Sequence, residues 1–237
     1  MRVNEFREFI RNKNVIIVGN SVELMNHENA DFIDSHDVVI RLGTGGAIPF
    51  SMKPAVGKKF DVWCVGLLRA NLWNVQPEKF RDVKHIMYNR NRIWLNEPYT
   101  PPAHKGFWEL AHTMFDDHEL HRLCDRFGIV PNVKSSFRLS NGFLAIIYMM
   151  EKCNNWKSLT IIGFDFFKKS TPKRRGDSKA DHYSWHRPIQ TAPGKVHDAT
   201  IEENYVIEAE KSGKLKWVRL GNNEKDTDIV DTKYGDF

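Results

Sequence analysis

NVIIVGNS, residues 14–21, decides how the rest of the chain is read. Val15, Ile16, Ile17 and Val18 are apolar without polar alternation, the pattern of a short strand buried on both faces of a parallel sheet. The run ends in Gly19, Asn20 and Ser21, a tight polar turn. In open α/β sheets, nucleotides bind where strands end in such turns. Taken alone, the turn admits two readings. It is a plain structural turn, or a site where Gly19 lets backbone approach a ligand while Asn20 and Ser21 hydrogen-bond ribose or phosphate oxygens.

Outward from this stretch, HDVVIRLG (36–43), FDVWCVG (60–66) and KHIMYN (84–89) are further short β-rich runs. SNGFLAIIYMMEKC (140–153) is too densely apolar for a surface helix and reads as a buried one, entered through Ser140, Asn141 and Gly142. KSLTIIGFDFF (157–167) is a strand ending in a glycine turn, TIEENYVIEAEKSG (200–213) an amphipathic helix closed by Gly213, and KLKWVRL (214–220) a last strand. The alternation of strands and helices predicts an α/β, Rossmann-like sandwich with a mostly parallel sheet. Residues 90–132 are rich in His, Pro and aromatics without clear periodicity, which suggests a lid or acceptor-side insertion.

The chain's 237 residues, 41% hydrophobic and 27% charged, suit one domain over 1–237 that buries a core without disulfides or metal. No apolar run approaches the roughly 20 residues of a membrane helix, the N-terminus lacks a signal-peptide core, and the three cysteines have no metal-ligand spacing. These features predict a cytoplasmic protein, of a bacterium or of a virus-infected cell. The formal charge of +5 favours polyanionic partners. It is uneven: residues 168–181 form a basic loop, read either as solvated or as acceptor-binding, and residues 223–237 form an acidic tail.

Several chemistries lose their support. There is no G-x-G-x-x-G and no G-x-x-x-x-G-K-[ST], no G-x-S-x-G elbow, and no cysteine beside a histidine. The D-x-D at Asp226 and Asp228 falls in the acidic tail and reads as solvated charge, so no metal and no cofactor is expected. Ser140, Asn141 and Gly142 open a helix, as a plain N-cap or an anion site. His182, in DHYSWH, and His197, just before Asp198 at the start of the last long helix, form a candidate pair. The positive helix end disfavours imidazolium, which suits His197 to act as general base. His182, beside Tyr183 and Trp185, is placed to donate to a departing phosphate.

In order, these pieces resemble the four motifs of the animal-type sialyltransferases, glycosyltransferase family 29. Residues 15–43 are similar to its large motif and 139–165 to its small motif, HYSW (182–185) to the third, and HDATIE (197–202) to the very small motif, a His and a Glu separated by four residues. The small motif with GKKFDVW (57–63) also resembles a separate bacterial sialyltransferase family. The resemblance implies a variant GT-A-type fold and an inverting, metal-independent transfer from a nucleotide sugar. It implies that Asn20 contacts the nucleotide, Ser140 and Gly142 the phosphate or ribose, His182 the leaving phosphate, and that His197 is the base. Gly19, Ser21, Arg41, Gly43, Asn141 and Tyr183 complete the implied donor-binding set.

Two departures bear on the substrate. Gly43 stands where the family's large motif ends in a donor-contacting asparagine, and Asn141 where its small motif carries Ser or Thr. The large-motif cysteine of the family's disulfide is also missing, which leaves Cys153 without that partner. The expected partners are a nucleotide-sugar donor, CMP-sialic acid or a relative, and a glycan acceptor. The alternatives are a viral glycosyltransferase acting on hydroxymethylated bases in DNA and a non-catalytic nucleotide- or glycan-binding module. Tyr88, Tyr183 and Trp185 are candidates to line the site, and Trp108 a weaker one. Oligomeric state is not read from the sequence.

Overall fold

The structure is a computed structural model that describes residues 2–21, 23–24, 27–43, 53–66, 80–89, 105–129, 139–166 and 198–220, and the backbone of 182–184 and 187–189. Its centre is a seven-stranded sheet in the order β5-β4-β3-β2-β1-β6-β9, built from β1 (Asn14–Val18), β2 (Val38–Leu42), β3 (Val62–Gly66), β4 (His85–Asn89), β5 (Ala111–Thr113), β6 (Ser158–Ile162) and β9 (Lys216–Val218). All pairings in it are parallel; Ile17 of β1, for example, lies between Ile40 and Ile161. β7 (His182–Ser184) and β8 (Arg187–Ile189) form a separate antiparallel pair.

Burial on both faces explains the unbroken apolar runs. Val15 and Ile17 of β1 join Val38, Ile40, Leu42, Val62, Cys64 and Met87 in a core on one face. That face is covered by α1 (Arg2–Ile10), α5 (Asp117–Arg126), α6 (Asn141–Ile147) and α7 (Ala199–Lys211). Alternate residues face the other way. There Ile16, Val18 and Val39 meet Ile33 of α2 (Ala30–Asp34) and Val56 of α3 (Lys53–Val56), while Trp63, Val65, Ile86 and Tyr88 meet Phe107 of α4 (Lys105–Leu110). Val15, Ile16 and Ile17 have no exposed surface, and truncating such a side chain to Ala costs about 2–5 kcal/mol.

α6 is apolar all round because Phe143 through Ile147 are all fully buried. It continues without a break into a π-helical turn, Tyr148–Lys152. α7 ends as its sequence predicts, with Gly213 at φ 72°. Cys64, Cys124 and Cys153 are buried free thiols, and burial pushes the Cys64 thiol up to about 12.

One expectation is corrected. The described part of 90–132 is not a lid but the body of the sandwich: α4, then β5 hydrogen-bonded to β4, then α5 packed on the core. β5 has three residues, too few to show a period, and α5 buries only Leu120, Leu123 and Cys124. The region does carry one local signal. Asp116 accepts from Glu119 N and Glu119 returns to Asp116 N, a capping box. The basic loop and the acidic tail lie outside the described residues.

Candidate functional site

β1 and β6 are neighbours, and the strands next to them lie on opposite sides, so their C-terminal ends flank the switch point of the sheet. Here the two chains nearly touch. Gly19 N donates to Ile162 O at 2.8 Å and Ser21 N donates to Gly163 O at 3.0 Å. A Cβ on Gly19 would collide with the Gly163 carbonyl, so the glycine is dictated by this backbone approach. Ser21 is 3% exposed, and its Oγ accepts from Glu23 N at 3.3 Å. Asn20 differs: its Oδ1 is buried and has no hydrogen-bond partner. An acceptor left unpaired at a switch point is suited to a ligand's donor group.

The residue after Gly163 joins the two halves of the site. The Phe164 ring comes within 3.0 Å of where a Gly19 Cβ would sit and 2.9 Å of where a Gly142 Cβ would sit, with Leu42 Cδ1 3.0 Å from the latter. Two glycines from separate motifs are therefore needed by one partly exposed aromatic ring. Phe166, two residues on, is held at φ 47°, an uncommon conformation for a bulky residue, with its ring edge-on to Trp217 at 5.1 Å. Sequence reasoning passed over Phe164. Its signal was GFDFF directly after a buried strand.

Ser140 is the N-cap of α6, its Oγ accepting from Phe143 N at 3.1 Å. It also meets Glu202 of α7. Ser140 N donates to Glu202 Oε1 at 2.7 Å and Ser140 Oγ donates to Oε2 at 2.6 Å. Asp198 caps α7 by accepting from Ile201 N at 3.0 Å. The starts of α6 and α7 are thus tied side by side through a carboxylate that is 1% exposed. Burial pushes Glu202 up to about 7, the nearby Asp198 adds to the rise, and the two Ser140 hydrogen bonds hold it down. The sequence marked Glu202 as half of a motif and gave it no role. The Asn141 carbonyl receives a long contact from Cys64 Sγ at 4.0 Å.

The remaining expected residues divide. Arg41 is 1% exposed, with Nε donating to Lys59 O at 2.8 Å and Nη2 to Val56 O at 2.7 Å, so these two nitrogens clamp the segment after α3 while Nη1 is buried without a partner. Burial lowers it to about 10, with Asp34 and Asp61 opposing the fall. Gly43 turns the chain at φ 59°, with its N–H on Cys64 O and its carbonyl accepting from Trp63 Nε1 at 2.5 Å. Tyr88 belongs to the core on the face opposite α6, 5.7 Å from Trp108, because strand alternation turns it away from the helix start. The next residue, Asn89, is fully buried at the C-terminal end of β4, and neither atom of its amide has a partner. His182 and Tyr183 lie on β7, described as backbone only, and Trp185 and His197 lie outside the described residues.

A cavity of about 900 Å³ lined by Asp34, Lys58, Lys59, Asp61, Arg81 and Lys84 lies at the N-terminal ends of the strands, away from this edge. Its Asp34 and Asp61 are engaged by Lys58 N, Lys59 N, Val39 N and Lys84 Nζ, so these acids hold turns together. Among the described residues no three metal-ligating side chains converge, and no helix is long and apolar enough to cross a membrane.

Over residues 10–214 the chain matches glycosyltransferase family 29 (sialyltransferase). Among solved structures, a mammalian sialyltransferase in complex with Gal-beta-1-3GalNAc-ortho-nitrophenol superposes with a TM-score of 0.53 at 19% identity, over 91% of this chain and 72% of its own. A second structure of a mammalian sialyltransferase gives 0.52 at 20% identity, over 89% and 70%. The sialyltransferase CstII from Campylobacter jejuni, in complex with cytidine-5'-monophosphate, gives 0.47 at 16%, over 90% and 82%. No curated protein matches the chain.

Proposed function

Because the chain belongs to glycosyltransferase family 29, and is a nucleotide-sugar glycosyltransferase, we propose that it moves a sialic acid or related sugar from a CMP-linked donor to a glycan hydroxyl, with inversion and without a metal. The observation that carries this reading is the Glu202–Ser140 link. It joins the first turn of α7 to the cap of α6 at the C-terminal edge of the sheet. His197 immediately precedes Asp198, the cap of α7, so the covalent backbone keeps it next to the start of that helix.

In this reading the nucleotide lies at the switch point, with Asn20 Oδ1 accepting from it and Phe164 as its apolar floor. Its phosphate meets Ser140 and the N–H groups at the start of the α6–π helix, where the dipole favours negative charge. His197 takes the proton from the acceptor hydroxyl as that oxygen bonds to the anomeric carbon. The bond from that carbon to the phosphate oxygen breaks in the same step, and its electron pair leaves with the nucleotide. His182 donates to the departing phosphate. One displacement inverts the anomeric centre, and positioned proton transfer of this kind contributes about 10²–10⁴-fold. A glycan acceptor accords with the Gal-beta-1-3GalNAc-ortho-nitrophenol bound by the mammalian neighbour.

The test is His197→Ala, assayed with CMP-sialic acid and a panel of galactosides, with product configuration read by NMR. The expected outcome is an inverted product from the wild type and a loss of at least 10²-fold in kcat with CMP affinity kept. A retained configuration, or a variant as active as the wild type, refutes the mechanism.

A further inference from the structure

Glu202 is hydrogen-bonded to Ser140, and what it does to that residue depends on a proton. In the structure the Ser140 hydroxyl donates to Glu202 Oε2 at 2.6 Å and accepts from Phe143 N at 3.1 Å. A serine hydroxyl has one proton to give. While Glu202 is ionised, that proton is committed to the carboxylate and none is left for a phosphate or ribose oxygen. Once Glu202 is protonated the bond reverses: the carboxyl O–H donates to Ser140 Oγ, Phe143 N still donates to it, and the Ser140 proton turns to the ligand. Ser140 N continues to donate to Oε1 in either state.

We propose that Glu202 is a positioning residue that couples donor binding to uptake of one proton, releasing the Ser140 hydroxyl to the nucleotide only in its neutral form. The inference rests on the donor reading above. Two surroundings favour the neutral form as an anion arrives. Glu202 is 1% exposed and has little water to solvate its charge. Asp198, one turn earlier on α7, adds a negative field. The groups that meet the carboxylate from the start of α6, the Ser140 N–H and hydroxyl, oppose this by hydrogen-bonding to the ionised form, but they carry no charge to offset a phosphate. A second negative charge beyond Ser140 raises the cost of the ionised form further. Burial has already brought Glu202 up to about 7, so the exchange falls at neutral pH.

Glutamine reproduces the neutral carboxyl: its Oε1 accepts from Ser140 N and its Nε2 donates to Ser140 Oγ. CMP binding is therefore measured by calorimetry at pH 6 and pH 8.5, in buffers of different ionisation heat, for the wild type, Glu202→Gln and Ser140→Ala, with cytidine as the phosphate-free comparison and UMP as the alternative nucleotide. The wild type should lose on the order of tenfold in CMP affinity relative to Glu202→Gln over this interval and take up more protons on binding. Subtracting the variant's profile removes the titration of the phosphate and of the histidines. Ser140→Ala should bind at pH 6 as weakly as the wild type does at pH 8.5, which tests the coupling even if Glu202→Gln fails to fold.

Equal pH profiles and equal proton uptake in wild type and Glu202→Gln overturn the coupling while leaving the donor reading intact. A Ser140→Ala profile parallel to that of the wild type also overturns it. Failure of the wild type to bind either CMP or UMP at both pH values overturns the donor reading and the coupling with it.

Discussion

Arg41 and Glu202 are both ionisable, both 1% exposed, and opposite in consequence. Arg41 holds the carbonyls of Lys59 and Val56, so Arg41→Ala removes the partner of one partly buried acceptor and one buried acceptor, the latter worth about 1–3 kcal/mol. Its urea midpoint should fall sharply while CMP affinity stays within twofold. A selective loss of CMP affinity at unchanged stability would instead place Arg41 in the donor site. pH separates Glu202 from a third buried group. His112 is 5% exposed, and burial lowers it to about 3 from 6.5, so the fold keeps it neutral. Its contribution is present above pH 6.5 and is lost as pH falls toward 3. Glu202 runs the other way, since its raised value makes its contribution full below 4.5 and lost as pH rises through about 7. Urea midpoints across pH 3–8 should show His112→Phe flattening the acid limb and Glu202→Gln flattening the fall between 4.5 and 7. An acid limb unchanged by His112→Phe would contradict the first assignment.

At the scale of the element, the capping box at Asp116 and Glu119 starts a helix whose apolar stripe is narrow. Asp116→Ala should cost about 1 kcal/mol, read as a lower urea midpoint, with CMP affinity unchanged because α5 packs on the core away from the switch point. The same helix shows what the sequence could not convey. Strands β1, β2, β3 and β6 are legible because each is buried on both faces and reads as an apolar run. β5 is a three-residue edge strand, and its place comes from pairing with β4 rather than from any pattern of its own. Site residues divide in the same way. Gly19 and Ser140 announce themselves by local turn and cap chemistry. The buried clamp at Arg41 and the link from Ser140 to Glu202 join positions 18 and 62 residues apart, which no local window contains.

For the whole molecule, the order β5-β4-β3-β2-β1-β6-β9 places the large-motif turn, the small-motif helix start and the first turn of α7 at one edge of one sheet. That convergence is the central claim, and a donor panel tests it most directly. CMP-sialic acid, UDP-hexoses and UDP-pentoses are compared by thermal shift and donor hydrolysis, each repeated on Asn20→Ala, whose substitution removes the unpaired Oδ1. A nucleotide held at 100 times its dissociation constant stabilises the fold by about 2.7 kcal/mol. The account predicts that shift with CMP-sialic acid, a smaller one in Asn20→Ala, and none with the UDP-sugars. A shift or hydrolysis confined to UDP-sugars, or a CMP-sialic acid shift untouched by Asn20→Ala, would contradict it.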